Sequence, residues 1–537
     1  MGSQEHPHYD AIIVGAGFSG IYGLHKLRSQ GLSVHVFEAG SDLGGAWYWN
    51  RYPGARVDSE WPHYQLSLPE LWKDWYFSER FPEGAEIRKY FAYVDEKLNL
   101  KKDITFNARV NSANWDADRA VWTVTTEAGH VATCKYLCLF SGLLHRKYLP
   151  EFPGFENYKG KVYHSASYPD DVDVTGKRVA VIGTGATAVQ IIQELSKKAS
   201  HLSVFMRRPS ICLPAGNRPI GTAEQDAWKP YYHVLFGAGR KSASGFPMAP
   251  PEKTFSEMPD AEREEMYESI WKAGSFSFAM RNFPEILVDK QASRAAYDFW
   301  AKKTRARIND PTKKDLMAPI EPPYPFFTRR SPLEIDFYES VDRDNVEIVP
   351  LQQTPFDAFT EKGIRTSDRN EREFDYIIFA TGFESFTGSV AHMNLKSKDG
   401  IDIKDVWAKG IRTYLGMLVH GFPNCFMSYS PHAPTALSNG PTILECQVDF
   451  IVSAIAKMEA EKIKTIEPTA DAEEAWGKMI RDDGSQTLFT ETDSWWTRAN
   501  IPGQPKELLT YIRGIMNYEP QCRETLDEWK GFDVAKA

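Results

Sequence analysis

The residues best suited to chemistry are two glycine-rich loops, each set between an apolar run and a helix-forming stretch. Gly15-Ala16-Gly17-Phe18-Ser19-Gly20 follows Ala11-Ile12-Ile13-Val14, and 168 residues later Gly183-Thr184-Gly185-Ala186-Thr187-Ala188 follows Val179-Ala180-Val181-Ile182. A strand that turns through glycines into a helix offers the free N–H groups of the helix N-terminus to a pyrophosphate. What closes each unit differs in sign. Glu38 ends Val34-His35-Val36-Phe37, where a carboxylate accepts hydrogen bonds from a ribose 2′-OH. Arg207 and Arg208 end Leu202-Ser203-Val204-Phe205, where a guanidinium attracts a 2′-phosphate that would repel a carboxylate. The first unit therefore reads as an FAD site and the second as an NADP site.

The elements that must hold these loops are those of a doubly wound α/β protein. With 537 residues, 42% hydrophobic and 25% charged, the chain has the length and composition of an ordinary globular protein of several domains. A formal charge of −9 argues against a nucleic-acid-binding surface. No apolar run approaches the roughly 20 residues of a membrane-spanning helix. Residues 1–8 are polar and unlike a signal peptide, and His6 stands where a myristoylated Met1-Gly2 start needs Ser or Thr. Six cysteines are too few for a disulfide scaffold and lack zinc-site spacing, so no metal is expected and the chain reads as a reduced, cytoplasmic enzyme.

The expected fold is α/β, two Rossmann-like dinucleotide-binding domains (FAD and NADP) with a helical insertion in the NADP domain. Residues 1–142 form the first part of the FAD domain, 143–214 the first part of the NADP domain and 215–325 the insertion. Residues 326–382 complete the NADP domain, and 383–537 complete the FAD domain and carry a C-terminal mobile loop. Residues 135–142 and 374–382 both read as strands ending in tight turns that pass the chain between the nucleotide domains. Within the insertion, Asp260 reads as the N-cap of a helix burying Met266, Tyr267, Ile270 and Trp271. A longer helix is expected to start at Pro284, a good first-turn residue, and to run through Ala306.

A chain with both sites could be a disulfide reductase, but residues 44–58, where its cysteine pair would sit, hold none. That stretch instead resembles the signature of type I Baeyer–Villiger monooxygenases: Gly45-x-Trp47, then Tyr52-Pro53-Gly54, then Asp58. A second signature, Tyr158-x-Gly160-x3-His164-x3-Tyr168-Pro169, departs from the family only in Tyr158 for Phe. Pro169 separates it from the related N- and S-oxidising flavin monooxygenases, which carry Lys there. The resemblance runs from Ala11 to about Lys506.

It implies an enzyme that turns ketones into esters or lactones with NADPH and O2 through a flavin C4a-peroxide. Gly45, Trp47 and Asp58 would line the flavin. Arg330 would hold the peroxyanion, a role worth about 10²–10³ in rate for one preorganised donor. Asp58 would pair with it, and breaking such a buried pair costs roughly 3–5 kcal/mol. Arg329 would join Arg207 and Arg208 at the 2′-phosphate. Trp495 would close over the nicotinamide ribose. Ala436 and Leu437 would shape the substrate pocket, while Gly160 and His164 would order the interdomain linker. The alternatives are an N- or S-oxidising flavin monooxygenase and, from another class, a catalytically weak flavoprotein acting as a redox-responsive binding module.

Overall fold

The computed structural model describes residues 6–536, so the Met1-Gly2 reading falls outside the described residues. The apolar run at the start becomes β1 (His8–Val14), followed by α1 (Phe18–Ser29) and β2 (Val34–Phe37). β1 pairs in parallel with β2 on one side and with β3 (Val131–Leu139) on the other. Ala11, Ile12 and Ile13 have no exposed surface, as expected of a central strand covered on both faces. An antiparallel excursion through Val110–Asp116 and Val121–Thr126 extends the sheet past β3. The strand Cys425–Met427 returns from far along the chain to pair in parallel with β3.

A second sheet is wholly parallel. It contains β4 (Lys161–His164), β5 (Arg178–Ile182), β6 (His201–Met206) and β7 (Tyr376–Phe379), with α2 (Ala186–Leu195) following β5. From one edge its order is Val346–Pro350, β6, β5, β7, β4. In each sheet the chain leaves the glycine-loop strand toward one side and returns on the other. That reversal opens a crevice at the carboxyl ends of the strands, where α/β folds bind ligands.

Between β6 and β7 lies a largely helical segment containing α3 (Asp260–Ala273) and α4 (Lys290–Arg305). Tyr267 and Ile270 of α3 are buried, and Met266 and Trp271 pack beside them. The expected cap is corrected. Pro259 holds the N-cap position, while the Asp260 carboxylate reaches forward to Arg263. The expected start at Pro284 is corrected too, because Pro284–Leu287 forms a separate 3-10 turn. Asp289 starts α4 by accepting a hydrogen bond from the Ala292 N–H at 2.8 Å, satisfying a free first-turn donor that Pro284 cannot. The long helix α5 (Gly440–Glu461) then packs against α1. No described helix is long and apolar enough to cross a membrane.

Candidate active site

A cavity of about 1580 Å³ touches both glycine loops. It exceeds the roughly 300–1,000 Å³ of an ordinary small-molecule pocket, so it suits more than one ligand. Gly15 sits at φ +105°, where a Cβ would lie 2.7 Å from the Phe140 carbonyl oxygen. Gly183 repeats this at φ +117°, with the Ala380 carbonyl oxygen at 2.6 Å. Both turns need glycine because left-handed backbone and strand contact coincide there. A Cβ on Gly185, at the start of α2, would meet nothing within 4 Å. One on Gly17 would meet only Gly45. Backbone N–H groups are thus bared to the cavity at both helix starts, and the residues fit two dinucleotide pyrophosphates. Phe18, Ser19, Thr184, Ala186 and Thr187 line the cavity beside them.

The closing side chains behave differently. Glu38 is 4% exposed, and its two oxygens accept from the N–H groups of Ala16 and Gly40, each at 2.6 Å. It therefore pins the first glycine loop from below. Burial raises its carboxyl, and these backbone donors oppose that rise. Its remaining lone pairs are available to a ribose. Arg207, Arg208 and Arg329 instead gather with no such partners in the backbone. Desolvation and then the charges of Arg329 and Arg208 hold the Arg207 guanidinium below its ordinary range. Mutual repulsion of this kind marks an anion site, which a phosphate relieves. Thr184 ties its own loop to this cluster, its hydroxyl donating to the Arg208 carbonyl at 2.7 Å.

In the wall of the same cavity, and 272 residues apart in sequence, Asp58 and Arg330 meet. Arg330 Nε donates to Asp58 Oδ2 at 2.9 Å, a terminal nitrogen lies 2.8 Å from that oxygen, and the other donates to the Ala436 carbonyl at 2.8 Å. A guanidinium has five N–H groups. This arrangement fixes the plane and leaves one N–H on each terminal nitrogen. Phe276 lies under the cation, 4.7 Å from ring centre to guanidinium carbon. Desolvation works against the charge, yet Asp58 and Tyr429 hold the Arg330 pKa above its ordinary range. The Asp58 side chain is 35% exposed against 18% for Arg330. Removing the acid should then cost about 1–3 kcal/mol, less than the 3–5 of a closed pair.

The remaining expected residues divide. Trp47 lines the cavity and donates its indole N–H to the Tyr64 hydroxyl at 2.9 Å. Trp495 lines the cavity wall and packs on Phe386. Ala436 also lines it, in left-handed backbone at φ +61°. Leu437, its neighbour, packs partly buried against a hydrophobic cluster that also contains Ala436. Gly160 leaves room for Tyr158, whose hydroxyl donates to the Phe374 carbonyl at 2.9 Å. His164 ends β4, accepting from the Ala166 N–H at 3.1 Å through Nδ1 and reaching the Gly382 carbonyl at 3.2 Å through Nε2. It joins two crossings between the sheets. Burial lowers its pKa to about 4, so it is neutral, which suits a brace and not a general base.

Sequence reasoning missed several contributors. The Ala436 carbonyl that orients Arg330 leaves no side-chain signature. Gly54 serves packing between the units, because a Cβ there would lie 2.6 Å from the Gln190 carbonyl of α2. Tyr52 donates to the Gln190 side chain at 2.9 Å, docking the same stretch on that helix. The tyrosines flanking the Asp58–Arg330 pair, Tyr64 and Tyr429, also line the cavity.

Comparison with known proteins agrees with this geometry. A family model described as flavin-binding monooxygenase-like matches residues 10–215. The chain is 43% identical over 535 residues to the FAD-binding monooxygenase acrE of Aspergillus aculeatus, covering 99% of this chain and 90% of that protein. It is 38% identical to cyclopentanone 1,2-monooxygenase of Comamonas sp., with 100% and 98% covered. Cyclohexanone monooxygenase from Rhodococcus sp. Phi1, solved bound to NADP+, superposes with a TM-score of 0.95 at 35% identity, covering 99% of this chain and 100% of that one.

Proposed function

The chain belongs to the Baeyer–Villiger branch of the flavin-binding monooxygenase-like family, and we propose that its cavity converts a ketone to an ester or lactone with NADPH and O2. Bound FAD, reduced by NADPH, supplies the activated oxygen that the ketone carbonyl receives. The observation that carries the reading is the Asp58–Arg330 pair, set in the wall of the cavity that both glycine loops line.

Each residue has a separable task. Glu38 binds the FAD ribose, Gly17 and Gly45 let its pyrophosphate approach backbone, and Gly15 and Gly20 let the turn and helix pack close to the strands. Arg207, Arg208 and Arg329 hold the 2′-phosphate of NADPH. Trp495 covers the nicotinamide ribose and excludes water from it. Arg330 directs its two free N–H groups at the negative charge that develops on oxygen during attack on the carbonyl. A donor fixed in advance costs no reorganisation during reaction, the reason such groups carry about 10²–10³ in rate. Asp58 keeps that cation protonated and in plane. Ala436, whose carbonyl completes the clamp, bounds the space left for the ketone. His164 couples the linker strands without moving a proton. The six cysteines are all free and buried, which suits the cytoplasmic location we propose.

The test is direct. The purified protein, yellow with flavin, should consume NADPH in air and convert small cyclic and linear ketones to their esters, followed by gas chromatography. NADPH consumption that yields only hydrogen peroxide with every ketone would refute the reading.

A further inference from the structure

The three arginines assigned to the 2′-phosphate come from two stretches that the helical segment separates, and one side chain touches both. Tyr324 stands where that segment rejoins the NADP domain, 7% exposed and in the cavity wall. Its hydroxyl accepts from the Ile211 N–H at 3.0 Å, three residues past Arg208. Its ring carries the Arg329 guanidinium, whose carbon lies 5.2 Å from the ring centre. Burial pushes the phenol pKa up, and the charges of Arg329 and Arg208 oppose that rise, so the hydroxyl sits within reach of both cations. The Ile211 side is held from its other neighbours. The Ser210 hydroxyl donates to the Thr184 carbonyl at 2.5 Å, and the Cys212 N–H donates to the Tyr338 hydroxyl at 3.2 Å. Just past both arginine stretches the chain pairs with itself, Leu213 against Leu333 in a short parallel ladder.

We infer that Tyr324 is the positioning residue of the 2′-phosphate site: its ring holds the Arg329 guanidinium and its hydroxyl sets the Arg207-Arg208 stretch beside it. This rests on the assignment of the three arginines to that phosphate. Like charges gathered at one point swing apart into solvent unless something ties them, and ordering them again would weaken nucleotide binding. A ring face attracts a cation without neutralising it, whereas a carboxylate at that place would compete with the phosphate. A guanidinium, planar and weakly hydrated, suits such a face better than an ammonium does. The hydroxyl supplies the other half, because its partner is main chain and holds the stretch after β6 in place. A nucleotide without the 2′-phosphate draws on neither arginine stretch, so it should not sense Tyr324.

The test removes the two attachments separately. Tyr324→Phe loses only the hydroxyl, and Tyr324→Leu loses the ring face as well. 2′,5′-ADP and 5′-AMP are titrated by calorimetry into the FAD-loaded protein, in wild type and in each variant, alone and combined with Arg329→Ala. Tyr324→Phe should weaken 2′,5′-ADP about two- to threefold, the reach of one hydrogen bond, and leave 5′-AMP unchanged. Tyr324→Leu should weaken it about five- to fifteenfold, because a cation–π contact is lost too, and again spare 5′-AMP. With Ala at 329 the ring has no cation to carry, so Leu and Phe at 324 should then bind 2′,5′-ADP equally. Flavin content, read by absorbance, shows which variants are intact, and Tyr324→Phe decides alone where Tyr324→Leu does not load. An unchanged ratio of the two affinities in either variant, or an equal loss for both nucleotides, would overturn the inference. So would a gap between Leu and Phe that persists in Arg329→Ala. A wild type that does not prefer 2′,5′-ADP over 5′-AMP would instead refute the arginine assignment beneath it.

Discussion

The two glycine loops share a backbone and diverge in the side chains that close them. Both begin with a left-handed glycine pressed against a neighbouring strand's carbonyl, Phe140 for Gly15 and Ala380 for Gly183. In the first, Glu38 reaches back and binds two backbone N–H groups, so the cradle is rigid before any ligand arrives. In the second, burial and the charges of Arg329 and Arg208 disfavour the Arg207 cation, and among the described residues only the Asp493 carboxylate stands within 4.0 Å of the three, at Arg208. The first arrangement suits a nucleotide that stays and the second one that exchanges. A single supersecondary unit can therefore serve both, because the closing residues differ while the glycine turns are alike.

The third glycine position sharpens the contrast most. A Cβ on Gly20 would lie 1.9 Å from the Gly15 carbonyl oxygen, whereas the second unit already carries the methyl of Ala188 there, fully buried. Gly20→Ala should force strand and helix apart at a cost of about 3 kcal/mol, the top of the usual overpacking range. The purified variant should be nearly colourless, its flavin content read by absorbance. Ala188→Gly should cost about 1 kcal/mol in melting experiments and keep its NADP+ affinity. Equal flavin retention in wild type and Gly20→Ala would break the comparison.

Next in size is the cation cluster. Arg207→Ala removes a charge-assisted contact to the phosphate, so KM for NADPH should rise about 10- to 100-fold while KM for NADH barely moves. A parallel rise for both nucleotides would place Arg207 away from the phosphate.

Smallest is the brace between the sheets. His164 titrates near 4 in the folded protein against an ordinary 6.5, so between those values the unfolded chain holds the extra proton. Its contribution to stability is complete above pH 6.5 and is lost as pH falls toward 4. His164→Asn should flatten the dependence of the urea midpoint on pH across that window, by no more than one proton's worth. His63 and His145, also lowered to about 4, and His432, lowered to about 3, add to the slope in the same direction, while Glu445, raised to about 7 by burial, opposes it. An unaltered slope would mean that His164 is not braced as described.

Much of this was legible in the sequence, for identifiable reasons. Glycine loops and their closing residues are local features, so their spacing announced both cradles. Asp58 and Arg330 are individually unremarkable, and their meeting across 272 residues was anticipated through the family resemblance and not from spacing. Main-chain partners left no trace: the Ala436 carbonyl under Arg330 and the backbone bonds of Glu38 depend on loop conformation. The segment from 284 to 306 misled because Pro284 and Asp289 are both good helix starters, and the side-chain cap of Asp289 prevailed.

The account stands on the cation fixed in the wall of the shared cavity, and Arg330→Ala tests it most directly. Anaerobic mixing with NADPH should still bleach the flavin at close to the wild-type rate, since the residues holding both nucleotides are untouched. In air, ester formation from the best ketone should fall by about 10²–10³-fold. Ester formed at near wild-type rate by this variant would contradict the claim that Arg330 stabilises the developing oxygen charge.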